Sequence, residues 1–91
     1  MKNDKNYQDF LKAKELIKNR KYLEAYSKLK RLIKKEPNNV ILKLEYAKIF
    51  VELDKLDRAR RIFEGLLETP IKKFAMFELG KLEVIEGNYK L

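Results

Sequence analysis

Apolar residues recur every three or four positions along nearly the whole chain, which is the period of a helix that buries one face. Clusters of polar or helix-breaking residues interrupt the pattern at Asn19-Arg20-Lys21, Pro37-Asn38-Asn39, Asp54-Lys55, Thr69-Pro70 and Gly87-Asn88. Between them the spacing predicts five helices, over about 6–19, 22–36, 39–53, 56–68 and 71–86. Pro37 lacks a backbone donor and disfavours helix at Glu36, so it divides the second helix from the third. Thr69 before Pro70 suits an N-cap followed by a proline in the first turn. Connections this short force neighbouring helices into antiparallel hairpins.

The helices also repeat in sequence. Ala13 returns as Ala47, Ala25 as Ala59, Leu16 as Phe50, Leu29 as Phe63, Leu32 as Leu66 and Ile33 as Leu67, every pair 34 residues apart. Tyr22 falls on Leu56 at the same offset, and a third copy maps Ala47 to Gly80 and Leu56 to Tyr89 at an offset of 33. Small residues at fixed places let paired helices approach closely, and large ones fill the space around them. The small residue in each first helix (Ala13, Ala47, Gly80), the large one at the turn (Tyr22, Leu56, Tyr89), the alanine of the second helix (Ala25, Ala59) and the closing prolines (Pro37, Pro70) resemble the tetratricopeptide repeat over residues 6–91.

That resemblance implies an all-α fold, an αα-hairpin repeat in a right-handed superhelix of two and a half repeats. The repeats would span about 6–39, 40–72 and a truncated 73–91, after a flexible N-terminus at 1–5. Leu44-Glu45-Tyr46-Ala47, Arg58-Ala59-Arg60-Arg61-Ile62-Phe63-Glu64 and Leu82-Glu83 are also similar to the half-a-tetratricopeptide variant of RNA-processing proteins. That motif carries a tryptophan early in its first helix, and this chain has no Trp.

The two ends read differently. Leu42, Tyr46 and Ile49 form one stripe of the second repeat's first helix, on the face toward a preceding repeat, and Ala75, Leu79 and Leu82 form its counterpart in the third. The first repeat has Gln8, Lys12 and Glu15 there, the polar replacement expected of a terminal repeat facing water. The third copy stops soon after Gly87-Asn88-Tyr89, before a second helix, while Met76, Leu79, Ile85 and Tyr89 keep it apolar. This favours a fragment of a longer protein over a natural capping helix, and weak self-association through the C-terminal helix is expected.

Composition narrows the chemistry. The chain has no Cys and no His, a single Ser and a single Thr, which leaves no nucleophile–base pair and no thiolate or imidazole metal site. A carboxylate pair stays formally open, but no closed cleft is expected to raise a pKa. The expectation is a protein without enzymatic activity and without cofactors. Apolar runs are too short to span a membrane and Met1–Asn6 leads into no signal core, which points to the cytoplasm. Abundant Lys, Ile and Asn hint at an A/T-rich, bacterial genome.

The net charge of +8 lies wholly in the first half: residues 1–48 carry 14 Lys and Arg against 6 acids, and residues 49–91 carry 8 against 8. In tetratricopeptide repeats the first helices line the concave surface where ligands lie. Carried onto this sequence, that face holds Tyr7, Phe10, Lys14 and Ile17, with Lys18 one turn beyond Lys14. It continues with Ile41, Leu44, Lys48 and Val51, and then with Phe74, Phe77, Lys81 and Val84. Apolar, apolar, lysine, apolar would suit a peptide or protein segment with apolar anchors and acidic residues. Two readings stay open here, a binding groove or side chains that pack on one another while the lysines reach to water. Glu45 precedes Lys48 and Glu78 precedes Lys81 by one turn, whereas Leu11 precedes Lys14.

The chaperone-tail clamp of some family members holds a terminal carboxylate with lysines, asparagines and an arginine where this chain has Phe10, Lys14, Glu45, Phe74 and Glu78. The two glutamates would repel that carboxylate, so the specificity is not expected. Lys28, Lys30, Arg31, Lys34 and Lys35, then Arg58, Arg60 and Arg61, place cations on the second helices, with Glu24–Lys28 and Asp57–Arg61 spaced as ion pairs. The alternative function is nucleic-acid association through this basic half, although only Tyr26 is interleaved with it as a stacking surface.

Overall fold

The computed structural model describes residues 4–90, with side chains through Gly87, so Met1–Asn3 and the side chain of Tyr89 lie outside the described residues. The helices are α1 Lys5–Lys18, α2 Tyr22–Lys35, α3 Val40–Glu52, α4 Leu56–Gly65 and α5 Lys72–Lys90.

Local chemistry fixes most ends. Asp4 caps α1 by accepting the Tyr7 amide at 2.8 Å, and Asn39 caps α3 by accepting from Ile41 and Leu42 at 3.0 and 3.2 Å. After α1, Arg20 takes a left-handed conformation (φ 63°), and the amides of Arg20 and Lys21 bond back to the carbonyls of Ile17 and Leu16. Asp54 (φ 61°) repeats this after α3, with Asp54 bonded to Val51 and Lys55 to Phe50. Both are Schellman motifs, which satisfy carbonyls at a helix end that would otherwise be orphaned.

Two boundaries depart from the sequence pattern. Helix α4 stops at Gly65 rather than near Glu68, and three-residue hydrogen bonds from Leu66, Leu67 and Thr69 wind the chain into tight turns. There Thr69 donates its hydroxyl to the Leu66 carbonyl at 2.6 Å and accepts the Ile71 amide, and α5 begins one turn later. The expected break at Gly87-Asn88 does not occur, because α5 continues through it. A lone glycine costs a helix about 1 kcal/mol, which is too little to end one without a proline or a competing cap.

Each helix packs chiefly on its neighbours in sequence: α1 on α2, α2 on α3, α3 on α4 and α4 on α5. The core forms in two parts. One joins Ala13, Ala25, Leu29 and Leu32 to Leu42 and Ile49; the other joins Leu44, Ala47, Phe50, Ala59, Phe63 and Leu66 to Ile71, Ala75 and Leu82. Ala13, Ala25, Ala47 and Ala59 are all fully buried, as close helix crossings require. Leu42 and Ile49 are buried against the first hairpin and Ala75 and Leu82 against the second, while Gln8, Lys12 and Glu15 are exposed. Helix α3 contributes to both parts and is buried around most of its circumference, as apolar residues on all its sides demand.

Aromatic side chains join the two hairpins. Tyr26 of α2 stacks on Tyr46 of α3 with centroids 5.5 Å apart, and Phe50 meets both edge-on at 5.8 and 5.0 Å. Burial, and then the adjoining Tyr26 phenol, push the Tyr46 hydroxyl up to about 12.

Candidate functional site

The strip carried by the first helices is most buried on α3 and most exposed on α5. On α1, Tyr7 is 43% exposed, Phe10 and Ile17 are half-buried, and Lys14 and Lys18 are exposed. On α3, Ile41 is exposed while Lys48 and Val51 are half-buried. On α5, Phe74, Phe77 and Val84 are each more than 60% exposed beside exposed Lys81. Leu44 leaves the strip: only 8% exposed, it belongs to the core with Ile71 and Ala75 at the start of α5.

Tyr7, Phe10 and Ile41 come together in one cleft of about 230 Å³ between the N-terminal ends of α1 and α3, floored by Leu32 and Leu42. Its wall is a polar link that no spacing in the sequence announces. Glu36 accepts from Asn6 with one carboxylate oxygen and from Asn39 with the other, both at 2.9 Å, and so ties α1 to the α2–α3 connection. Asp4 also flanks the cleft, with one carboxylate oxygen engaged as the α1 cap. The signal within reach was the capping asparagine at 39; the partner 30 residues away at Asn6 depends on how α1 and the connection meet. Phe74, Phe77 and Val84 lie outside this cleft.

The lysines differ in what holds them. Lys48 reaches Glu45 at 3.6 Å and Lys81 reaches Glu78 at 3.3 Å, and both glutamates are close to nine-tenths buried at the side chain. Lys14 instead lies over the Phe10 ring at 5.8 Å. Lys81 shares that posture over Phe77 at 5.1 Å, so it is held by a ring and a carboxylate together.

The cations of the second helices are more committed than their sequence implies. Arg58 lies over the Phe50 ring at 4.6 Å, and Lys30 lies over Tyr26 at 5.7 Å. Arg60 does not face water as an outward charge: it bridges to Glu83 at 3.4 Å and to Glu86, fastening α5 to α4. The expected Glu24–Lys28 and Asp57–Arg61 pairs do not form among the described residues, where the ion pairs are those of Lys48, Arg60 and Lys81. Between α2 and α4 runs a second cleft of about 360 Å³, lined by Ile33, Val40, Tyr46, Ile62 and Leu66 with Lys43 and Arg61 at its rim.

Among the described residues, no helix is long and apolar enough to cross a membrane. No curated protein and no solved structure matches the chain. A tetratricopeptide-repeat profile matches residues 16–70, from the end of α1 through the turn before α5. With more than half of its length matched and its helices paired as successive antiparallel hairpins, the chain belongs to the tetratricopeptide-repeat family.

Proposed function

We propose that this protein is a non-catalytic interaction module that holds a peptide or protein segment with apolar anchors and acidic residues along the face made by α1, α3 and α5. The repeats of this family generally mediate protein–protein interaction, and that coarser role follows from membership. The observation that carries the finer reading is the strip itself. Tyr7, Ile41, Phe74, Phe77 and Val84 stay exposed among lysines, where a chain with no ligand to hold would gain by placing polar residues. Covering about 200 Å² of such surface is worth roughly 5 kcal/mol before association costs, short of the roughly 8 kcal/mol that micromolar binding needs, so the lysines or further covered surface must supply the rest.

Other features support the same reading. The one threonine spends its hydroxyl on a backbone carbonyl, and the one serine, Ser27, lies on the exposed face of α2. Nucleic-acid stacking is not favoured, since Tyr26 is already stacked on Tyr46 and lies beneath Lys30. The exposed apolar face of α5 also supports weak self-association, which sedimentation at rising concentration would reveal. The Lys-, Ile- and Asn-rich composition suits a bacterial protein, for which we keep the cytoplasm as the working location.

Capture of acidic–apolar peptides from a synthetic library tests the groove. Tyr7→Ser with Phe77→Ser is expected to weaken capture about tenfold or more. Reversing Lys34 and Lys35 on the second-helix face, as Lys34→Glu with Lys35→Glu, leaves it within about twofold. Equal losses from both pairs would mean unspecific attraction to a basic surface, and the groove reading would fall.

A further inference from the structure

The strip looks periodic in sequence, but its charge is not periodic in space. Lys48 and Lys81 each sit in an ion pair with a glutamate of their own helix, Glu45 at 3.6 Å and Glu78 at 3.3 Å. Because those carboxylates are largely buried, the pairs are poorly screened and each presents a nearly neutral unit to the groove. At the corresponding place before Lys14 stands Leu11, 43% exposed and without charge. Among the described residues neither Lys14 nor Lys18 has a carboxylate within ion-pair distance. Lys14 rests on the Phe10 ring at 5.8 Å, which fixes its position without cancelling its charge.

The apolar surface runs the opposite way. On α1 Phe10 and Ile17 are half-buried and Tyr7 and Leu11 are 43% exposed, whereas Phe74, Phe77 and Val84 on α5 expose 63%, 65% and 65% of their surface. The whole-chain charge follows the same gradient, since the excess of +8 lies within residues 1–48 and residues 49–91 sum to zero. The acids near the first cleft do not reverse it. Asp4 and Glu36 stand at the N-terminal end of α1, already accepting backbone and asparagine N–H groups, whereas Lys14 and Lys18 lie about three and four turns further on.

We infer that the groove is polarised, cationic at its α1 end and apolar at its α5 end, and orients what it binds. The acidic residues of the held segment lie on the C-terminal half of α1, against Lys14 and Lys18, and its apolar residues lie on α5, against Phe74, Phe77 and Val84. The inference rests on the groove being the binding face. The middle and far lysines then set no charge preference, because an incoming carboxylate meets Glu45 and Glu78 together with them.

A pool of synthetic peptides tests this on the full chain, each with an acidic block, a spacer and an apolar block in either sequence order. Each carries a nitroxide at one end or the other, and the protein is labelled with nitrogen-15. The acidic-end nitroxide is expected to broaden amides around Lys14 and Lys18, and the apolar-end nitroxide those from Phe74 to Val84. Lys14→Gln with Lys18→Gln is expected to weaken binding about tenfold, by an amount that shrinks as salt is raised. Removing a neutral pair, Glu45→Gln with Lys48→Gln, changes affinity less than about twofold; Glu78→Gln with Lys81→Gln repeats that control away from the buried centre of α3. Broadening of α5 by the acidic end, or equal losses from charged and neutral pairs, overturns the orientation while leaving the groove standing. A pool in which no peptide perturbs groove amides overturns the groove reading, and this inference with it.

Discussion

Arg20 and Asp54 hold the same left-handed backbone at matching places in two repeats, and neither is a glycine. A residue with a β-carbon is strained there by about 1–2 kcal/mol, and only the Schellman hydrogen bonds at these two helix ends hold it in place. Asp54 makes no side-chain hydrogen bond or ion pair among the described residues that would offset the strain. Asp54→Gly is therefore expected to raise stability by about 0.5–1 kcal/mol in urea melts, the relieved strain being partly cancelled by the freer unfolded chain. A loss of stability would mean that the aspartate has a role the backbone geometry does not reveal. At this scale the alanines were legible in the sequence, because a small side chain at a fixed offset has few explanations other than a close helix crossing. The handed turns were not, since Asn19-Arg20-Lys21 and Asp54-Lys55 read only as polar breaks. Nor was the place of Leu44, which shares its period with exposed Ile41; only the docking of α5 decides which of the two is covered.

Among the helices, α5 departs furthest from what the repeat implied. Gly80 occupies the position that Ala13 and Ala47 fill at close crossings, yet a β-carbon built there would meet nothing within 4 Å. No described helix crosses it, so the glycine has no packing role in this chain and only its cost to helix formation remains. Leu79 and Ile85, two of the apolar residues of the truncated copy, pack against the second part of the core, and Arg60 holds Glu83 and Glu86 alongside. Met76 remains exposed. Gly80→Ala is thus expected to stabilise α5 by about 0.5–1 kcal/mol, read as slower amide exchange from Leu79 to Ile85. Unchanged or faster exchange would show that something approaches this face. The five helices themselves were legible from apolar spacing and breaks. The early end of α4 and the continuation through Gly87 were not, because the first rests on turn hydrogen bonds around Thr69 that spacing does not announce and the second on a glycine whose cost is too small to end a helix.

The molecule as a whole is a flat, elongated stack of 48 × 29 × 17 Å in which contacts run mainly between successive helices. Such arrays divide their stability into terms for each repeat and for each interface, and a long one can open piece by piece. Here the division has little room. Helices α1 and α2 share one part of the core with Leu42 and Ile49, while α4 and α5 share the other with Leu44, Ala47 and Phe50, all five from α3. Cut at α3, either side would keep fewer than half of the residues, near the size at which a hydrophobic core alone is marginal. The Tyr26–Tyr46–Phe50 cluster adds aromatic contacts across the same junction. The two parts should therefore melt together. Leu29→Ala, at a fully buried site of the first part, is expected to cost about 2–5 kcal/mol. That loss should appear equally in probes on α4 and α5, with one urea transition for the chain. Amides of α3 should be the most protected and should exchange only by global opening, in the parent chain and in the variant alike. Fast exchange confined to α1 and α2, with α4 protected as before, would instead make the hairpins independent units. The groove between α1 and α3 would then be able to open without unfolding the rest.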